Sequence, residues 1–318
     1  MNLIQGVGLV TVLSSVVGCC ASIATPPDDS PAFTADLHCG QLPLHVEGQG
    51  EHLTLRVLSK PMVLQQVISA SGARYKAVAD DEDKPTELWF KGDQASLILQ
   101  GVPYPQCAPA NALIEPFRAS GNEPFWSLTM ERGNVALTRL DQVVVSAPDY
   151  IAGEQPGEYV SSSQPPLRVQ IRDGVCRDDM TGMPYPQKVA VELDDGTRLE
   201  GCGGEPMRFL QGGEWVVEDI NEGGIIDRSR VSLTFWPEGR VTGMASCNAL
   251  TGQYELTGEG LHMEQIATTR KACAPSLMQQ EQRVLSVLNQ LQRFDVDDTG
   301  ALLLYSEGGS LKARLETW

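Results

Sequence analysis

Two stretches of this 318-residue chain carry side chains suited to gripping a charged group. One is Ser69-Ala70-Ser71-Gly72-Ala73-Arg74-Tyr75, and the other is Leu88-Trp89-Phe90-Lys91-Gly92. A hydroxyl such as that of Ser71 both donates and accepts hydrogen bonds. An ammonium such as that of Lys91 is a point charge on a flexible stem and pairs readily with a carboxylate. Gly72 permits a backbone that a bulkier residue resists, and Tyr75, Leu88, Trp89 and Phe90 supply strand-forming bulk. Residues 69–97 therefore read as two strands with a hydrophilic connection. Lys91-Gly92 falls at a strand end, where the amine projects freely. Taken singly, a lysine beside a turn glycine is a solvated surface group.

Other polar sets are weaker. Glu123, Asp178 and Asp179 could be imagined as an acid–base group, but carboxylates that cap turns and strands explain them equally well. His38, His45 and His52 are scattered over separate strands and loops, which favours solvated or packing histidines over metal ligands. Asn248 and Arg270 could line a binding site, although an asparagine after a cysteine in a turn is more simply structural. The chain has no glycine-rich phosphate loop, nucleophile elbow or zinc-type histidine pair. No enzyme activity, cofactor or metal is expected. An enzyme acting on cell-wall sugar would need paired carboxylates facing one cleft.

The length allows two or three domains, and 31 glycines and 20 prolines between short alternating apolar runs favour β-structure full of turns. The fold expected is mainly β: three small antiparallel barrels or sheets, the last with one packed helix. A net charge of −17 argues against nucleic acid as a partner and is compatible with a cationic one. Residues 1–18 are almost purely apolar and end before Cys19, the pattern of a lipoprotein signal, although no Lys or Arg precedes the apolar run. Cys19 would then carry lipid, with residues 19–35 as a tether. Cys20 at the next position in place of Asp points to an outer-membrane location facing the periplasm. Membrane attachment would be through that lipid, since no later stretch is long and apolar enough to span.

With Cys19 assigned to lipid and Cys20 left over, the remaining thiols form three spaced pairs, Cys39–Cys107, Cys176–Cys202 and Cys247–Cys273. An exported protein sits where such pairs oxidise, and no C-x-x-C spacing supports metal instead. One staple per domain follows, for domains at 36–110, 113–207 and 210–318. In the first, Leu42–Val46 and Leu53–Leu58 alternate as half-buried strands, and the Cys39–Cys107 staple should be worth about 2–4 kcal/mol. In the third, Met278, Val284, Leu285, Leu288 and Leu291 fall at helical spacing behind Pro275 and Ser276. A hairpin through Gly308-Gly309 closes the chain.

Ser-Gly-x-x-Tyr followed by aromatic-Lys-Gly-x-x-Ala resembles the membrane-bound inhibitors of C-type lysozyme over roughly residues 36–108. That resemblance implies a C-type lysozyme as partner. It also implies that Ser71 and Lys91 enter the enzyme's cleft, with Arg74 and Tyr75 matching the motif and Tyr75 holding the loop by packing. Residues 76–86, with Asp80, Asp81, Glu82 and Asp83 in a row, make this hairpin longer and more acidic than is usual in the family. The insertion either clasps a basic lysozyme or shifts the loop. Gly121-Asn122-Glu123-Pro124-Phe125-Trp126 and Cys176-x-Asp178-x-Met180 resemble an uncharacterised domain of bacterial envelope proteins. Gly243-x-x-x-Cys247-Asn248, Gly252-x-Tyr254, Thr269-x-x-x-Cys273 and Gln280-Glu281 on the helix resemble the META domain of heat-shock-inducible envelope lipoproteins, which implies a stress-related role.

Overall fold

Alternating burial along the strands generates the architecture. A computed structural model describes residues 32–58, 60–78, 83–140, 142–162 and 166–316. The first sheet comprises β1 (Phe33–Cys39), β2 (Leu42–Gln49), β3 (His52–Val57), β4 (Lys60–Val67) and β5 (Ala73–Ala77). It continues with β6 (Glu87–Lys91), β7 (Gln94–Leu99), β8 (Val102–Pro103) and β9 (Cys107–Ala108). The order is β6-β5-β4-β3-β2-β1-β9-β7-β8, and an added β6–β7 pairing closes the ribbon into an antiparallel barrel. Leu42, Leu44 and Val46 of β2 point inward while Pro43 and Glu47 stay exposed, the period-two pattern of a half-buried strand. Cys39 and Cys107 are register partners on β1 and β9 and form a disulfide. Residues 69–97 hold parts of three strands rather than two. Residues 69–72 form the loop before β5, and a turn at Gly92-Asp93 separates β6 from β7.

The second sheet begins with β10 (Phe117–Asn122), β11 (Phe125–Glu131), β12 (Asn134–Arg139), β13 (Gln142–Pro148) and β14 (Tyr150–Ala152). It ends with β15 (Glu158–Ser161), β16 (Leu167–Arg177), β17 (Pro184–Leu193) and β18 (Arg198–Gly203), in the order β13-β12-β11-β10-β18-β17-β16-β15-β14. Its signature glycines have a packing cause. Trp126 is fully buried and donates from Nε1 to the Glu200 carbonyl at 3.2 Å. A Cβ at Gly121 would lie 2.3 Å from that nitrogen, and one at Gly201 would lie 2.0 Å from the Ser120 carbonyl oxygen. Only bare backbone fits on either side of the indole. The Cys176–Cys202 disulfide links β16 to β18 across β17. β16 is not among the strands expected from sequence.

The third sheet contains β19 (Glu214–Ile220), β20 (Arg230–Phe235), β21 (Arg240–Ser246), β22 (Ala249–Thr257) and β23 (Gly260–Thr268). A helix α1 (Pro275–Asn289) follows, then β24 (Leu291–Val296), β25 (Leu302–Ser306) and β26 (Gly309–Glu316), giving the order β23-β22-β21-β20-β19-β26-β25-β24. Pro275 opens α1, where its missing N–H costs nothing. The helix buries Gln280, Glu281, Val284, Val287 and Leu288 along one stripe. Each of the three aliphatic side chains contributes about 1.5–3 kcal/mol by burial. Leu291, expected on this stripe, is buried but begins β24 instead, because the helix stops at Asn289. Met278 and Leu285 are only half-buried at its margins.

Polar contacts tie the three sheets together. Gln94 Nε2 donates to the Leu113 carbonyl at 2.9 Å, and Arg208 donates to the Gln106 carbonyl at 2.9 Å. Arg177 clasps Asp295 through Nε at 3.0 Å and also donates to the Val296 carbonyl at 2.9 Å. Met183 of the second sheet's β16–β17 connection packs into the third sheet's core.

Candidate functional site

The polar face of β5 and β6 is built around Trp89. Strand alternation puts Tyr75, Leu88 and Phe90 toward the barrel interior and Arg74, Lys76, Glu87, Trp89 and Lys91 on the other side. Tyr75 is 4 % exposed and meets the Phe90 ring edge-to-face at 6.3 Å inside the barrel. Burial pushes its phenol pKa upward. On the outer side the Trp89 indole N–H donates to the Ser71 carbonyl at 2.8 Å. The Lys91 ammonium lies 4.1 Å from the centre of the same ring, and the Arg74 guanidinium lies 5.6 Å from it. One half-buried aromatic therefore braces the exposed Ser71 loop and the exposed Lys91 amine at once. Sequence reading credited Trp89 with bulk alone and missed this role.

The loop has its own supports. Ser69 Oγ is within hydrogen-bonding distance of the Gly72 carbonyl at 2.9 Å and the Ser71 carbonyl at 3.1 Å. Gly72 has φ +66°, and a Cβ there would fall 2.0 Å from the Phe90 carbonyl oxygen. Both conformation and space demand glycine. Arg74 donates to Glu87 through two nitrogens at 2.5 and 2.8 Å, and Lys76 adds a longer contact at 3.6 Å. The hydrogen bond from Arg74 holds the largely buried Glu87 carboxyl below its usual range, and Glu87 in turn raises Arg74. Arg74 is thus occupied within the sheet. Ser71 and Lys91 are the motif groups left facing outward.

Several of the remaining candidate residues have structural employment. Asp178 Oδ1 accepts from Met180 N at 3.0 Å and from Thr181 N at 2.8 Å, and Oδ2 accepts from Asn122 at 2.9 Å. Burial alone would raise its carboxyl pKa, but these donors outweigh burial and lower it. Glu123 sits exposed at the β10–β11 turn, and Asp179 is exposed beside Asp178. His45 lies between Asp36 at 2.6 Å and Glu47 at 3.3 Å on the barrel surface, and the hydrogen bond to Asp36 raises its pKa.

Asn248 is 2 % exposed and donates from N and Nδ2 to Glu281 at 2.9 and 3.1 Å. Its Oδ1 accepts from Thr269 Oγ1 at 2.8 Å and Lys271 N at 2.7 Å. Gln280 beside Glu281 accepts from Ile226 N at 2.7 Å and donates to Ser229 and Ser246 at 2.8 and 3.0 Å. These residues knot α1 to the β21–β22 connection beside the Cys247–Cys273 disulfide, and Arg270 lies exposed next to them. Cys19, residues 1–31 and the acidic positions Asp80, Asp81 and Glu82 lie outside the described residues.

Residues 38–104 match the family model of the membrane-bound lysozyme-inhibitor of c-type lysozyme, MliC, and residues 208–317 match that of the META domain. No curated protein matches the chain. Solved structures that are similar over about a third of it include two determined by NMR. One is an NMR structure of a protein from Burkholderia xenovorans, 22% identical with TM-score 0.31, covering 35% of this chain and 87% of that one. The other, also an NMR structure, is 25% identical with TM-score 0.29 and covers 33% and 91%. The chain carries an MliC segment in its first barrel and a META domain as its third.

Proposed function

We propose that this chain inhibits a C-type lysozyme by placing Ser71 and Lys91 in the enzyme's active-site cleft. The observation that carries the reading is the shared brace: Trp89 holds the Ser71 loop by a 2.8 Å hydrogen bond and seats the Lys91 ammonium 4.1 Å from its ring centre. Holding both groups before encounter lowers the ordering cost of binding. A retaining glycosidase sets two carboxyl groups about 5–5.5 Å apart around the sugar bond. The Lys91 ammonium pairs with the ionised one, and the Ser71 hydroxyl donates to one carboxyl or accepts from the protonated one. Together they occupy the place of the scissile sugar and offer no glycosidic bond. Arg74, locked to Glu87, and Tyr75, inside the barrel, position these two. The net charge of −17 favours approach of a basic enzyme.

In the same reading Cys19 carries lipid and anchors the chain to the outer membrane on its periplasmic side, with the META domain in a stress-related supporting role. A Cys19→Ser chain should lose incorporation of labelled palmitate and leave the membrane fraction.

The test of the inhibitory reading is a lysozyme assay on cell-wall substrate with the lipid-free chain, Ser71→Ala and Lys91→Ala. Lys91→Ala should raise the inhibition constant at least about tenfold, since breaking a desolvated charge pair from one side costs about 2–5 kcal/mol. Inhibition that survives both substitutions moves the site elsewhere on the barrel. No inhibition by the parent chain leaves a non-inhibitory envelope protein.

A further inference from the structure

We propose that the outer face of β16, β17 and β18 binds a small soluble phosphorylated molecule, with Arg172 and Lys188 gripping its phosphoryl group. This face forms a groove of about 570 Å³, the size of a site for a small organic ligand. Strand register sets its side chains in three rows: Arg168, Glu192 and Arg198; then Gln170, Ala190 and Glu200; then Arg172, Lys188 and Cys202.

The charges of the first two rows are spent. Arg168 pairs with Glu158 at 2.5 Å, and Arg198 pairs with Glu192 at 3.1 Å and Glu200 at 2.9 Å. Arg177, at one end, is committed to Asp295. The third row differs. Arg172 and Lys188 stand directly opposite each other on neighbouring strands, both exposed, and among the described residues neither has an ion-pair or hydrogen-bond partner. Asp179, also on the groove wall, has no ion pair among the described residues, so two free cations face one free carboxylate.

Like charges directly opposite destabilise a sheet, and an anion seated between them reverses the sign of that contribution. A phosphoryl group suits the pair, because its oxygens meet the planar guanidinium fork in parallel and the ammonium as a point charge. Ala190, the smallest side chain of the middle row, leaves the floor open for the rest of the ligand. The net charge of −17 repels an extended anionic surface such as a bilayer or a polyanion. A single phosphoryl group inside the groove instead meets the local positive field. The ligand class is therefore small and soluble. This inference is independent of the lysozyme reading.

Titration calorimetry of the full chain with glucose 6-phosphate, inorganic phosphate and glucose tests it, with sedimentation of phosphatidylglycerol vesicles as a separate arm. Glucose 6-phosphate should bind and glucose should not. Arg172→Gln and Lys188→Gln should each weaken binding about tenfold or more without lowering Tm, since each relieves a like-charge contact. Ala190→Leu should block the sugar phosphate with both cations intact. Failure of both phosphates to bind at millimolar concentration overturns the proposal, as does binding unchanged in the double variant. Vesicle binding that depends on the two cations, without binding of soluble phosphate, overturns the soluble-ligand assignment.

Discussion

In the first barrel the motif residues Ser71 and Lys91 face outward and are braced from beneath by Trp89. In the third domain the motif residues Asn248 and Glu281 are 2 % and 7 % exposed and spend their polar atoms on each other and on neighbouring backbone. Both sets mark a family, yet they do opposite things. A buried, fully satisfied network fixes one packing of the helix on the sheet. Exposed polar groups on a rigid support are what the proposed inhibitory reading requires for a partner. The difference separates stability from binding, and each half of it can be broken on its own.

The largest effect is expected at Lys91. Lys91→Ala should cost about 2–5 kcal/mol in lysozyme inhibition and leave Tm nearly unchanged, because the exposed amine rests on the Trp89 face at the surface. Glu281→Ala should do the reverse. It strands the Asn248 N–H and amide in the interior and should destabilise the chain by about 1–3 kcal/mol, lowering Tm in calorimetry with inhibition retained. Equal loss of inhibition in this variant would erase the distinction between the two regions. Trp89→Phe keeps a ring but removes the N–H that holds the Ser71 carbonyl. It should weaken inhibition by about 1 kcal/mol, the net worth of one such bond, with the rate of dissociation rising most.

The smallest effect concerns pH. Glu87 is held below its ordinary value of 4.5 by Arg74. Its contribution is therefore fully present above pH 4.5 and lost as pH falls through the lower folded-state value. The Tm difference between the parent chain and Glu87→Gln should shrink on acidification across that range. A difference that grows in acid would contradict the pairing.

Much of the fold was legible because its causes are local. Leu42, Leu44 and Val46, and Val284 and Leu288, announce strand and helix by period alone. The three disulfides follow from the spacing of the cysteines within each domain. The strand β16 was equally readable in principle, since buried Leu167, Val169 and Ile171 alternate with outward-facing Arg168, Gln170 and Arg172. The brace was not readable. Trp89 reaches Ser71 across eighteen positions of sequence only through the β5–β6 register, and the Glu281–Asn248 contact spans thirty-three. Local pattern says which face a residue occupies. It does not say which distant atom that residue meets.

The most direct measurement is a double-mutant cycle between Lys91→Ala and a lysozyme whose nucleophilic aspartate is changed to asparagine, read as binding affinity. A coupling energy of about 1.5 kcal/mol or more is the expected result, because the ammonium and the ionised carboxylate lose the same contact. Additive effects, with no coupling between the two substitutions, would contradict entry of Lys91 into the active-site cleft.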